Sequence, residues 1–142
     1  MIIKYQKQTD QHTTYTLVTP ESSGCTELAT IDGTTYVHVP DGVTLPSQPE
    51  QIAVEEVTMT DELREQIKAA SPHVKLSYKR LNERIRAKYS IDDEMYLARI
   101  AVGAQMGTYE MQPDEPALLA EYQQYVEAQR EIARLERAQW EL

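Results

Sequence analysis

The sequence predicts an α+β protein, in which a small antiparallel β-hairpin region at the N-terminus is followed by a bundle of about four helices. Residues 1–40 are rich in β-branched residues and tyrosine, which favour strands. From Thr60 onwards, apolar residues recur at intervals of three and four, which is the period of an amphipathic helix. The chain therefore divides into a β-rich region (1–40), a proline-containing strap (41–59) and a helical bundle (60–142).

The clearest element of the β-rich region is a hairpin around Asp32-Gly33. The segments TELATI and TTYVHV flank this dipeptide, which favours a tight type I′ turn. Side chains alternate across a strand, so the β-branched residues of the second segment share one face, which we expect to point inward. They are Thr35, Val37 and Val39. The opposite face is then exposed and is a candidate contact surface for another protein. It carries Thr34, Tyr36 and His38.

Two further strands are expected before the hairpin, in IIKYQKQ and TTYTLVT, with Asp10 as the turn residue between them. After the hairpin, Pro40, Pro46 and Pro49 remove backbone donors and end the sheet. The strap is therefore expected to be a structural joint and not a ligand pocket. A β unit of about 50 residues buries too little surface to be stable alone, so it must pack on the helices, self-associate or dock on a partner.

Three helices are predicted between the strap and residue 107. The first is DELREQIKAA, which follows Thr60 as N-cap and ends before Ser71-Pro72. The second carries one apolar stripe, made of Val74, Tyr78, Leu81, Ile85 and Tyr89. The third follows Ser90 as N-cap, with the acidic residues of IDDE in its first turn. Met95, Ala98, Val102 and Met106 lie on one side of it, and further apolar residues lie on the others. It is therefore apolar nearly all round, which predicts a central, buried position.

A fourth helix is predicted from about residue 115 to residue 142. Its 25 or so residues would be about 38 Å long, which is enough to span the domain or to project from it. Trp140, the only tryptophan, lies near its end. We expect Trp140 to be buried against the bundle, or else to be an exposed contact residue for a partner.

The composition argues against several functional classes. A net charge of −9 repels nucleic acid and anionic lipid. The single cysteine, Cys25, allows neither an internal disulfide nor a cysteine-based zinc site. No apolar run approaches the roughly 20 residues of a membrane span. These observations predict a soluble, cytosolic protein with no nucleic-acid or membrane partner.

The sequence also carries no recognisable catalytic motif. The three histidines lie far apart, and H-E-x-x-H, phosphate-binding loops and G-x-S-x-G are absent. We therefore expect no enzymatic activity, no cofactor, no metal and no small-molecule ligand. The alternative is an unfamiliar enzyme that uses His38 as a base and Asp41 to orient it.

A basic helix stands out in this acidic chain, because residues 75–88 carry six basic side chains and one acidic one. Two interpretations remain open. The helix docks on an acidic partner or on nucleic acid through residues such as Arg80 and Arg84, as a regulatory module directed at a host protein would in the first case. Alternatively, its charges pair across the bundle with Glu94, Glu121 and Glu127.

Several stretches together resemble small proteins encoded in the tail-gene regions of phages and prophages. The similar stretches are TYVHVPDGVTLPSQP, TDELREQIKAASPHVKLSYKR, and IRAKYSIDDEMYLARIAVGA with the following YVEAQREIARLERAQ. The resemblance covers most of the chain, and its motifs are structural. It implies a tail-associated or tail-fibre assembly protein that binds another tail protein or a second copy of itself. It also implies a location in the cytoplasm of the bacterial host or in the virion tail, and it brings no catalytic residues.

Overall fold

The computed structural model describes residues 1–142 and confirms the α+β class, with a small antiparallel sheet followed by four helices. The strands are β1 (Ile2–Gln6), β2 (Gln8–Thr9), β3 (Thr14–Tyr15), β4 (Thr26–Ile31), β5 (Thr34–His38) and β6 (Glu55–Glu56). The helices are α1 (Asp61–Ala70), α2 (Pro72–Lys88), α3 (Ile91–Met106) and α4 (Glu115–Ala138). None of these helices combines the length and the apolar character that crossing a membrane requires.

The chain forms two compact units. The first, which we call the sheet unit, comprises Met1–Leu76 together with Arg137–Leu142. The second, the helical unit, comprises Ser77–Glu136. The strap and α1 belong to the sheet unit, whereas α3 and most of α2 and α4 belong to the helical unit. The composition of the sequence divides the chain into consecutive segments. The two units are defined instead by contacts, so the sheet unit combines residues from both ends of the chain.

The predicted hairpin is confirmed. Strands β4 and β5 pair antiparallel, with Ile31 opposite Thr34. Asp32 has φ 48° and Gly33 has φ 80°, which are the two positive values that a type I′ turn requires. The main sheet has the order β4-β5-β1-β6, so the N-terminal strand is central and the strap supplies the last strand. Strands β2 and β3 form a separate two-stranded sheet around Asp10, whose carboxylate accepts the predicted turn bonds.

The expected inward face of β5 is also confirmed, because Thr35, Val37 and Val39 are at most 3% exposed. This face of the sheet packs against the strap. The shared core consists of Ile3, Tyr5, Val37, Val39 and Ile52, with the strap residues Val43, Leu45 and Val54 against it. The strap is therefore a joint that also provides part of a hydrophobic core.

The expected exposure of the opposite face is wrong. A second core of Ile2, Leu28, Ala29 and Ile67 covers it, and Tyr36 and Trp140 pack against that core. His38 is only 8% exposed, and Thr34 is half-buried. The physical reason is that α1 and the C-terminal residues lie on this side, so both faces of the sheet are covered. A sequence pattern of alternating side chains gives no information about this second layer.

The predicted N-caps of α1 and α3 are confirmed. The Thr60 hydroxyl accepts a hydrogen bond from the Leu63 amide at 3.2 Å. Ser90 and Asp93 form a reciprocal capping box, with bonds of 2.9 and 3.0 Å. The acidic first turn of α3 is therefore a helix start, as expected. Helix α4 ends at Ala138 and is shorter than the predicted helix.

The predicted central position of α3 is wrong. Only Leu97 and Ile100 of this helix are buried, whereas Ile91 is 61% exposed and Met106 is 70% exposed. The apolar core of the helical unit consists of Leu81, Ile85 and Ala133 with Val126, which lie on α2 and α4, so α3 is not at its centre. Several apolar side chains of α3 therefore remain in solvent.

Candidate functional site

The feature of the helical unit most suited to binding is an apolar face on α3 that points to solvent. Four of its side chains are large and between 47% and 70% exposed, and the fifth is an exposed alanine. We call this surface the outer face of α3, and it consists of Ile91, Met95, Ala98, Val102 and Met106. Intervals of three and four residues place them on one side of the helix over about 22 Å.

Local sequence holds both ends of α3 in place. The N-terminus is fixed by the Ser90 capping box. At the C-terminus, Gly107 has φ 72°, a left-handed conformation that favours glycine. One turn earlier, a Cβ on Gly103 would lie only 2.7 Å from the Cβ of Tyr109, so the chain folds back closely over this glycine. The outer face is therefore carried by a helix with defined ends.

A buried carboxylate joins α3 to the start of α4. Glu115 is only 1% exposed. It accepts hydrogen bonds from the hydroxyls of Tyr109 at 2.6 Å and Tyr96, and from the Gln112 amide at 2.7 Å. The bonds from Tyr109 and Tyr96 hold the pKa of Glu115 below its usual value, and the carboxylate in turn raises the pKa of Tyr96 to about 12. An ionised Glu115 thus connects α3, the following loop and α4.

A second carboxylate joins all three helices of the unit. Glu94 on α3 accepts a bond from the Tyr122 hydroxyl on α4 at 2.6 Å and pairs with Arg86 on α2. The bond from Tyr122, followed by the charge of Arg86, lowers the pKa of Glu94, and the pKa of Tyr122 is raised to about 12. In this unit, Tyr96, Tyr109 and Tyr122 thus use the hydroxyl that phenylalanine lacks to bond a carboxylate.

Polar contacts also join α2 to α4. The Arg84 guanidinium donates to the Gln129 side chain at 3.0 Å and lies 3.6 Å from Glu136. The Tyr125 hydroxyl donates to the Arg84 carbonyl at 2.9 Å. The apolar core beside these contacts is small and consists of Leu81, Ile85 and Ala133, with Val126 against it. Arg84 is therefore a structural residue of the helical unit.

The cross-helix interpretation of the basic helix is confirmed for two of its three predicted acids. Arg86 pairs with Glu94, and Lys88 lies 3.1 Å from Glu121. It is wrong for Glu127, which pairs with Arg130 and Arg134 on its own helix. Arg80 is exposed and forms no ion pair. The basic side chains at the C-terminal end of α2 therefore pair with acids of the other helices, and Arg80 remains at the surface.

A groove of about 280 Å³ lies beside α3 in the helical unit. Its apolar lining comes from Tyr89, Leu97 and Leu118, and charged side chains such as Lys88 and Glu121 border it. Leu118 is itself 42% exposed. The groove has the size and lining to accept one apolar side chain of a bound partner.

The other predicted contact residues lie in the sheet unit and do not form an exposed patch. Trp140 packs against the second core, and its ring centroid lies 5.3 Å from that of His73. The His38 ring lies 4.0 Å from Glu141, and burial lowers its pKa. No hydrogen bond or ion pair connects His38 to Asp41, so the arrangement of a base with its orienting acid is not present.

No metal-binding cluster and no similar protein points to a more specific site. No group of three or more His, Cys, Asp or Glu side chains is placed to hold a metal ion. The chain matches no protein-family model, no curated protein and no solved structure. The candidate site therefore rests on the geometry of the helical unit.

Sequence reasoning found the residues of the outer face but not their exposure. Met95, Ala98, Val102 and Met106 were predicted to share one side of α3, and they do. The role of Glu115 was missed, because its two tyrosine partners lie 6 and 19 residues away in sequence. The available signal was the composition, since tyrosine without phenylalanine indicates that the hydroxyl is used.

Proposed function

We propose that this chain is a non-enzymatic binding protein that acts in the structure or assembly of a phage or prophage tail. Its partner is another tail protein or a second copy of the chain, and the contact surface is the outer face of α3. The resemblance to proteins of tail-gene regions supports the class. The observation that carries the binding role is the exposed apolar face, because single-chain soluble proteins rarely leave such a continuous patch in water.

The energetics favour this use of the surface. Moving one large aliphatic side chain fully out of water contributes about 1.5–3 kcal/mol. Four such side chains on α3 remain between 47% and 70% exposed, so most of this free energy is not used in the isolated chain. When a partner covers the outer face, this free energy of burial stabilises the complex. Methionine, which provides two of the four, adapts its shape to a facing surface.

The rigidity of the unit supports the same role. The capping box and the carboxylates Glu94 and Glu115 hold α3 in one position. A contact surface on a fixed helix binds with a smaller loss of conformational entropy than one on a loop. In this proposal, the chain is made in the host cytoplasm and acts there or in the finished tail.

Capture of the tail proteins encoded beside this chain tests the proposal. We expect one of them to co-purify with the full chain and to be lost with Val102→Asp, which places a charge in the outer face. Gln124→Asp, at an exposed position of α4, is the matched control and should retain the partner. A chain that stays strictly monomeric and captures none of these proteins would contradict the proposed function.

A second candidate function is regulation of a host protein through the basic helix. The exposed and unpaired side chain of Arg80 favours it. Charge reversal separates the two functions. Arg80→Glu should abolish capture of a host partner without altering the melting temperature. Arg84→Glu should instead destabilise the helical unit, because Arg84 is bonded to Gln129 and lies beside Glu136.

A further inference from the structure

We propose that the outer face of α3 pairs with the same face of a second copy of the chain, with the two helices antiparallel about a twofold axis. This inference rests on the proposed function, in which that face is a contact surface, and it names the occupant. Two observations support it: the spacing of the apolar residues, and the flanking charges of Asp92 and Arg99, which form no ion pair within the chain.

The apolar spacing is that of a helix-pairing seam. Ile91, Met95, Ala98 and Val102 follow one another at intervals of four, three and four residues. This is the alternation of positions a and d in a heptad, which keeps a seam facing one partner helix. A 16-residue helix is about 24 Å long, so α3 presents nearly two heptads of the seam.

An antiparallel pair matches the sizes of the side chains. A twofold axis midway between Met95 and Ala98 places each Met95 opposite Ala98 of the second copy. The same axis places each Ile91 opposite Val102 of the second copy. A long side chain then faces a short one in the central layers, and two branched side chains face each other in the outer layers. Such alternation fills the space between helices without voids.

The charges beside the seam are complementary in this arrangement. Asp92 and Arg99 each follow a seam residue by one position, so they lie on the same flank of α3, about 10.5 Å apart along its axis. Both are exposed, and neither forms an ion pair within the chain. About the same twofold axis, Asp92 of each copy lies within one helical turn of Arg99 of the other. Two ion pairs result.

The parallel arrangement is less favourable for two reasons. It sets Met95 against Met95 and Ala98 against Ala98, which alternates crowding with gaps. It also directs Arg99 toward Glu94 of the second copy. That carboxylate is already used by Tyr122 and Arg86 within its own chain. Only the antiparallel pair gives each unpartnered charge an unpartnered opposite charge.

The size of the contact sets the expected affinity. Two helices about 24 Å long make a contact near the lower end of specific protein interfaces, where complexes are weak or transient. We therefore expect a monomer–dimer equilibrium with a dissociation constant in the micromolar range, which is typical of such an interface. Other occupants of the face, such as a different tail protein, are outcomes that the experiment distinguishes.

The test is sedimentation equilibrium of the full chain over a concentration series that spans the micromolar range. Val102→Asp should abolish the dimer, and Gln124→Asp should leave it unchanged. Arg99→Asp alone and Asp92→Arg alone should each weaken association by about tenfold, since like charges then face each other. The double charge swap, Asp92→Arg with Arg99→Asp, should restore the dimer, because the pairs re-form with their signs exchanged. Thermal melting of each variant verifies that the monomer is folded.

Three results would overturn the inference. The first is a monomer at all concentrations; if tail-protein capture still depends on Val102, the proposed function survives and this inference does not. The second is a dimer that persists in Val102→Asp, which places the interface elsewhere. The third is a dimer weakened by both single charge changes and not restored by the double swap, which excludes the antiparallel register.

Discussion

The two units of this chain treat apolar side chains in opposite ways. The sheet unit buries ten apolar residues and leaves three large ones exposed, whereas the helical unit buries five and leaves ten exposed. In the sheet unit, the strap covers one face of the sheet, and α1 with the C-terminal residues covers the other. In the helical unit, one side of α3 is left in solvent. The difference shows that the sheet unit encloses its apolar side chains, whereas the helical unit leaves most of its large ones in contact with solvent.

The units also differ in what holds their elements together. The sheet unit depends on two apolar clusters. The helical unit depends on carboxylates and an arginine that bridge its helices, with a small apolar cluster beside them. The first kind of stabilisation is nearly independent of pH, whereas the second requires ionised groups. Mutations and acid should therefore affect the two units unequally.

The largest effect is expected from a cavity in the sheet unit. Leu28 is fully buried, so Leu28→Ala should lower the free energy of unfolding by about 4 kcal/mol through lost burial and an unfilled cavity. Leu135→Ala in the helical unit is the matched control. Leu135 is 63% exposed, so its truncation should change stability by less than about 0.5 kcal/mol. Chemical denaturation measures the free energy of unfolding of both variants. Equal losses would contradict the difference in packing between the two units.

Trp140→Ala should produce the next largest effect. Trp140 belongs to the sheet unit, where it packs against Ile2, Leu28 and Ile67. It is only partly buried, so we expect a loss of about 3 kcal/mol, the lower end for removing a buried tryptophan. His73→Ala is the control, because it removes only the ring contact, worth about 1 kcal/mol. An unchanged melting temperature in Trp140→Ala would make Trp140 a contact residue instead.

Acid should act on the two units through different groups and in different pH ranges. The pKa values of Glu94 and Glu115 are lowered by their tyrosine hydrogen bonds, so both carboxylates stabilise the folded state above the ordinary value of 4.5. That contribution disappears as the pH falls below 4.5 through the folded pKa values. Helical circular dichroism should therefore decrease below pH 4.5. In the sheet unit the acid-sensitive group is His38, whose pKa is lowered by burial, so the fluorescence of Trp140 should report a loss of stability that begins below the ordinary value of 6.5.

Glu115→Gln sharpens the acid experiment, because it removes the charge and keeps the shape. We expect a lower melting temperature at neutral pH and a smaller further loss on acidification than in the unaltered chain. Glu110→Gln, at an exposed position of the same unit, should leave both unchanged. An acid response in Glu115→Gln identical to that of the original chain would show that Glu115 does not carry the effect.

The smallest effect is expected at the helix starts. Ser90→Ala removes the hydroxyl that accepts the Asp93 amide and should cost about 1 kcal/mol. Thr60→Ala does the same at the start of α1, in the sheet unit, and should cost about as much. Thermal unfolding measures both. Similar losses would show that local capping acts alike in the two units, so that their difference lies in packing.

Local elements could be predicted because neighbouring residues determine them. The Asp32-Gly33 turn, the caps at Thr60 and Ser90, and the end of α1 before Ser71-Pro72 depend on residues a few positions apart, and all are confirmed. The strand expected in TTYTLVT illustrates the limit of this reasoning. Only Thr14–Tyr15 pair there, because a strand needs a neighbour as well as a propensity.

The errors concern burial across long distances in sequence. His38 was expected in solvent, but residues near position 140 lie over its face of the sheet. Helix α3 was expected in the interior, yet its outer face is exposed. In both cases, the apolar pattern of the segment was interpreted correctly. The pattern did not reveal whether a distant element packs over that segment. The tail-assembly function and the absence of catalysis remain predictions.

By itself, the sequence determined the fold class, the hairpin, the helix starts and the face on which the apolar residues of α3 lie. Those features follow from backbone preferences and from side-chain periodicity, which act over a few residues. The tertiary structure decided which apolar faces are covered, which charges are paired and where the carboxylates Glu94 and Glu115 are bonded. Those outcomes depend on which distant segments become neighbours, and this is why the same apolar pattern forms a core in one unit and a surface in the other.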